Sequence, residues 1–113
     1  MRTPISEHHR RDGEDRPSGG HTFGRGFTIA WQDGPLAVDG IRREPNGAFV
    51  EDVIAAALGR IEFYQASEFA CEENAQAIES LRAALDVLNL RTQRRTARGV
   101  EGRRTVYKDT ANT

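Results

Sequence analysis

Two runs of helical periodicity joined by a short connector constrain this chain more than any other feature in it. From residue 48 onward, Val50, Val53, Ile54, Ala57, Leu58, Ile61 and Tyr64 recur at spacings of three and four, which places them on one helix face. Asn46 offers an N-cap, and Glu51 and Asp52 put acids where the helix dipole favours them. Gly59 weakens this helix by about 1 kcal/mol relative to alanine. After a connector at residues 66–70, a second run starts near Cys71 or Glu72 and continues to Arg98, with Gly99 placed to end it. Its seven-residue repeat comprises Asn74, Ile78, Leu81, Leu85, Leu88, Thr92 and Arg95, apolar in the middle and polar at both ends. Two long helices with so short a connection form an antiparallel hairpin.

The residues before the hairpin read differently. Phe27, Ile29 and Trp31 alternate with smaller or polar residues, the pattern of a half-buried strand that Asp33 and Gly34 close with a turn. Residues 35–38 form a short second strand, closed by Asp39 and Gly40, and residues 41–43 extend the meander until Pro45, Asn46 and Gly47 break it. Strands so few and short need helices to pack on. The fold expected is therefore α+β: a short antiparallel β-meander packed on a long antiparallel α-helical hairpin, in a dimer or higher oligomer. Residues 1–25 are polar and rich in Gly, Pro, His and Arg, a composition that buries too little apolar surface to offset ordering, so a flexible arm is expected there. One domain then spans 26–107, with 26–45 β-rich, helices at 46–66 and 71–98, and an extended tail at 100–107 that includes a strand at 105–107. Residues 108–113 form a flexible C-terminus.

At 113 residues the chain holds one small core. Its net charge of -1 argues against a general nucleic-acid binder. That balance conceals an asymmetry. Nine acids face two arginines, Arg60 and Arg82, between Glu44 and Asp86, whereas seven basic residues face one acid, Glu101, between Arg91 and Lys108. A local basic patch on an acidic chain points to a local anionic partner. The single cysteine, Cys71, rules out an intrachain disulfide and suits a reducing compartment. No apolar run reaches the length of a membrane span and no signal-peptide core is present, so a soluble intracellular protein is expected.

The candidate binding residues lie at the two ends of the hairpin. Arg91 and Arg95 are one turn apart, Arg98 continues their line, Arg94 flanks them, and Thr92 adds a hydroxyl, a donor set that suits phosphate oxygens. Arginines also complement the dipole at a helix C-terminus. Arg95, however, lies on the apolar stripe, facing a partner, where its charge needs a counter-ion. At the other end Phe63 or Tyr64 can stack on a base, and the Asn74 amide can read a base or ribose edge. Both aromatics and Asn74 also suit plain packing roles. Joining the two ends in one site requires a second copy of the hairpin, which argues for a dimer with the site at the subunit interface. Arg42 and Arg43, in the loop before the first helix, are placed to cover such a site. His8, His9 and His21 fall in the expected arm, no zinc-ligand spacing exists, and no phosphate-binding or nucleophile motif is present, so neither catalysis, a cofactor nor a metal is expected.

Three segments together resemble a known family: Asn-Gly-Ala-Phe-Val-Glu-Asp-Val at 46–53, Phe-Ala-Cys-Glu-Glu-Asn-Ala at 69–75, and Arg-Thr-Gln-Arg-Arg-Thr-Ala-Arg-Gly-Val-Glu-Gly at 91–102. The combination is similar to the phage Thoeris anti-defence sponges, which share a helical hairpin with phage anti-CBASS sponges. The resemblance implies a non-enzymatic protein of the host bacterial cytoplasm that sequesters a cyclic ADP-ribose isomer intact. Cyclic di- or trinucleotides form a second ligand class, and the assembly implied is a homodimer or a hexamer. It further implies ligand contacts from Asn74, Arg91 and Arg95, stacking by Phe63 or Tyr64 on the adenine, and one arginine, Arg42 or Arg43, from the preceding loop. The tail departs from the family's pattern, with Arg103 and Arg104 adding charge to which the resemblance assigns no role. The competing expectation is a helical-hairpin adaptor or regulator whose basic C-terminal segment binds nucleic acid.

Overall fold

The computed structural model describes residues 4–101 of the chain. The elements in order are β1 (Ile5–Arg11), β2 (Pro17–Gly24), β3 (Phe27–Trp31), β4 (Ala37–Val38), β5 (Ile41–Arg42), α1 (Val50–Gln65) and α2 (Glu72–Glu101). The fold is α+β, with antiparallel strands followed by two helices. It divides at Phe49 and Val50 into a β unit and a helical unit. No helix among the described residues is long and apolar enough to cross a membrane.

In the β unit, β1, β2 and β3 form one antiparallel sheet in that order, and β4 pairs with β5 in a separate two-stranded ribbon. Two expectations are corrected here. Residues 5–24 are not a flexible arm, and the strand ending at Trp31 pairs with β2 rather than continuing into the ribbon. The reading from composition is right that little is buried, since every residue of β1 is exposed. What orders the segment is backbone pairing, which composition does not report. A side-chain turn closes the β1–β2 hairpin: Asp12 Oδ1 accepts from the amides of Glu14 (2.8 Å) and Arg16 (3.0 Å), while Asp15 adopts a positive φ of 66°. The Arg16 and Glu14 amides hold the Asp12 carboxyl below its usual range.

Alternation across the sheet places Thr22, Ile29 and Trp31 on one face, with the Trp31 indole donating to Thr22 Oγ1 at 2.8 Å. Beyond Trp31 the chain returns alongside β3. Ala48 bridges Trp31 in parallel, with backbone bonds from Ala48 to Ala30 (2.7 Å) and from Gln32 to Ala48 (2.9 Å). Buried Gln32 receives the amides of Asn46 and Gly47 on its Oε1, and Asn46 exchanges two hydrogen bonds with the Asp33 backbone. Asn46 thus closes the β unit instead of capping a helix, and α1 begins at Val50 rather than directly after Asn46. The Asp39–Gly40 turn is as expected, with positive φ at both residues joining β4 to β5.

The helical unit is the predicted antiparallel hairpin. Gln65 staples its turn, donating to the Cys71 carbonyl (3.0 Å) and accepting from the Cys71 amide (3.1 Å). Cys71 caps α2 through its sulfur, which accepts from the Asn74 amide at 3.4 Å. The α2 stripe is the covered face: Ile78 is buried, and Asn74, Leu81, Leu85, Leu88, Thr92 and Arg95 are all half-buried. On α1 the covered face is narrower than the periodicity suggests, because Val50, Ala57 and Tyr64 are exposed. Helix α2 continues past Gly99, whose cost of about 1 kcal/mol is too small to stop a long helix. The side chain of Arg98, together with Arg103, Arg104 and the strand expected at 105–107, lies outside what is described.

Candidate ligand site on the helical hairpin

The residues expected on helices α1 and α2 fall into two groups that a single hairpin keeps apart. Asn74 and Arg91 are seventeen positions apart on α2, about 26 Å at 1.5 Å per residue. A mononucleotide-sized ligand therefore reaches one group or the other.

The first group stands at the open end. Arg91 and Arg95 are half-buried residues about one turn apart on α2, about 6 Å along its axis, whereas Arg94 is exposed. Arg91 Nη2 lies 3.5 Å from Glu51 Oε2, and the Thr92 hydroxyl reaches the same oxygen at 3.4 Å and the Leu88 carbonyl at 3.2 Å. Glu51, in the first turn of α1, thus lies beside Arg91 and Thr92, whereas sequence reasoning assigned it only to the helix dipole. The signal available was its place on the covered face of α1. Its pairing with Arg91 depends on a contact forty residues away in the chain.

The second group surrounds the hairpin turn. Asn74 Nδ2 donates to the Phe69 carbonyl at 3.2 Å, which fixes the amide and directs its Oδ1 away from that bond. Phe63 and Tyr64 both remain accessible, at 62% and 39% exposure. The Arg60 guanidinium lies 5.0 Å from the Phe63 ring centre and 4.9 Å from that of Tyr64, and its Nε donates to the Tyr64 hydroxyl at 3.1 Å. Arg60 orients the pair by cation–π attraction. Of the two loop arginines, Arg43 binds the Pro35 carbonyl at 3.0 Å, and Arg42 is exposed on β5. His8 and His21 face each other across β1 and β2, and among the described residues no group of three or more His, Cys, Asp or Glu is placed to hold a metal ion.

The profile of the Acb2/Tad1 hairpin domain matches residues 26–93. The chain belongs to the Acb2/Tad1 hairpin-domain family. The match runs from the start of β3 through both helices to Gln93, and so includes Glu51, Asn74, Arg91 and Thr92. A relative in Bacillus phage SBSphiJ7, named Thoeris anti-defense 1, is 46% identical over 79 residues, which is 70% of this chain. The chain spans about half of that relative's length, 53%. In this Acb2/Tad1 hairpin the aromatic side chains and the Asn74 amide stand at the turn, and Arg91 and Arg95 stand towards the open end.

Proposed function

We propose that this chain is a phage anti-defence protein that binds a cyclic ADP-ribose-type immune messenger and holds it intact in the host cytoplasm, withholding it from its effector. Membership of the Acb2/Tad1 hairpin family and the likeness to a Thoeris anti-defence protein support a binding role rather than an enzymatic one. The observation that carries the reading is the division of the ligand-reading groups between the two ends of one hairpin. Arg91 and Arg95 take the diphosphate, Thr92 assists, Phe63 or Tyr64 stacks on the adenine, and Asn74 reads its edge. The two ends meet only when a second, antiparallel copy brings its turn to the first copy's open end. The site therefore lies at a homodimer interface, and dimers associate further into a hexamer.

The helices are consistent with such a partner. Val50, Tyr64, Val87 and Leu90 are exposed apolar side chains at 42%, 39%, 63% and 51%, and Ile78 is the one buried hydrophobic residue among the described ones. Cyclic di- and trinucleotides are a second ligand class for the same assembly.

The test is a release experiment. The protein is incubated with a cyclic ADP-ribose isomer, separated from free ligand and heat-denatured. Recovery of unchanged ligand supports sequestration, and recovery of a hydrolysed product overturns it in favour of an enzyme. Substituting Arg91 or Arg95 by alanine weakens binding by about 1.5–3 kcal/mol through loss of charge-assisted hydrogen bonds. Unchanged binding by the double variant removes both arginines from the site.

A further inference from the structure

Arg60, Phe63 and Tyr64 stand three and four positions apart near the end of α1, so their side chains share one side of the helix. The rings of Phe63 and Tyr64 are 6.1 Å apart and tilted by 55°, and the Arg60 guanidinium lies over both, 5.0 and 4.9 Å from their centres. Its Nε also donates to the Tyr64 hydroxyl at 3.1 Å. Arg82 and Arg91 each take a carboxylate across the hairpin, whereas Arg60 takes two rings. All three side chains of this cluster are exposed. Close packing in a core therefore does not fix the rings; cation–π attraction and one directional hydrogen bond do. The arrangement also limits how a flat ligand approaches. A base held between two rings needs about 7 Å of separation, two contact distances of about 3.5 Å. The notch between Phe63 and Tyr64 is narrower and already holds the guanidinium, so the face of each ring turned away from Arg60 is what remains for stacking.

We propose that Arg60 is a positioning residue of the ligand site, setting the plane on which the base stacks; this rests on the reading that Phe63 or Tyr64 receives that base. An exposed ring that stops rotating only when the ligand arrives loses side-chain entropy at that moment. Arg60 holds both rings beforehand and so removes that cost from binding. Its charge alone does not achieve this. A lysine ammonium is a compact point charge without the planar fork, and it does not reproduce contact with two rings together with the bond to the Tyr64 oxygen.

The experiment titrates cyclic ADP-ribose into the full chain as wild type, Arg60→Gln and Arg60→Lys. Calorimetry reads affinity, and the hypochromic fall in adenine absorbance at saturation reads stacking. Both variants are expected to bind about fivefold or more weakly than wild type and to show a smaller absorbance fall. Arg60→Lys binding as tightly as wild type would make Arg60 a simple counter-charge and overturn the proposal, as would an unchanged absorbance fall in both variants. Glutamine and lysine are close to arginine in helix propensity, so thermal melts matching wild type separate a change at the site from a loss of fold. The Phe63→Ala, Tyr64→Ala double variant tests the underlying reading separately. If it binds cyclic ADP-ribose with the affinity and absorbance fall of wild type, the stacking assignment fails; if it loses both and the Arg60 variants do not, only the role of Arg60 fails.

Discussion

Glu62 and Arg82 meet across the helical hairpin at 2.6 Å, and Glu51 and Arg91 repeat the crossing towards the open end at 3.5 Å. Both pairs belong to one antiparallel register, yet they differ in exposure. Arg82 and Glu62 are 61% and 41% exposed, against 32% and 17% for Arg91 and Glu51. Solvent screens the shorter pair, so Arg82→Ala is expected to change stability by less than about 1 kcal/mol. Glu51→Ala leaves a half-buried guanidinium without that carboxylate and is expected to cost about 1–3 kcal/mol. Urea denaturation at matched protein concentration compares them, and an equal cost for both variants would refute the ranking.

Among the described residues, Ile78 is the buried apolar side chain of the hairpin. Its truncation in Ile78→Ala removes packing at the centre of the covered stripe and is expected to destabilise the protein by about 2–4 kcal/mol. The helical circular-dichroism signal followed through a thermal melt reads this directly. A loss below about 0.5 kcal/mol, the range of ordinary surface changes, would show that Ile78 is not what holds the helices together.

Gly47 lies against the backbone of β3. A Cβ there meets the Trp31 carbonyl carbon at 2.5 Å, its oxygen at 2.6 Å and the Ala30 oxygen at 2.7 Å. None of these is a flexible side-chain end. Gly47→Ala is therefore expected to break the Trp31–Ala48 bridge, cost about 1–3 kcal/mol and shift Trp31 fluorescence. An unshifted emission spectrum with an unchanged melting temperature would contradict the close approach.

The β1–β2 turn has a pH dependence of fixed sign. Hydrogen bonds from the Arg16 and Glu14 amides lower the Asp12 pKa from its ordinary value of 3.8. A carboxyl with a depressed folded pKa stabilises the turn above that ordinary value and loses the contribution as pH falls through the folded one. Amide exchange at Glu14 and Arg16, corrected for intrinsic rates, is expected to quicken as pH drops below 3.8, and to change less in Asp12→Asn. Equal acid sensitivity in both proteins would exclude Asp12 as the cause.

Much of the hairpin was legible in the sequence because helical periodicity is a local property. The repeat from Asn74 to Arg95 marks the covered face of α2, and the short connector fixes the antiparallel turn. The Asp39–Gly40 turn was equally legible, since its dipeptide tolerates the positive φ values that a tight ribbon needs. Strand partnership was not. The hydrogen bonds that seat β1 on β2 come from the backbone, which every residue carries, so a polar segment without an apolar face looks disordered until its partner is known. The site divides along the same line. Residue type and spacing pointed to Arg91, Arg95 and Asn74, because charge and hydrogen-bonding capacity belong to the side chain itself. That Arg91 and Thr92 both face Glu51, and that Arg82 faces Glu62, were decided by the tertiary structure. Such relationships depend on which distant residues the fold brings together, and no local pattern encodes that.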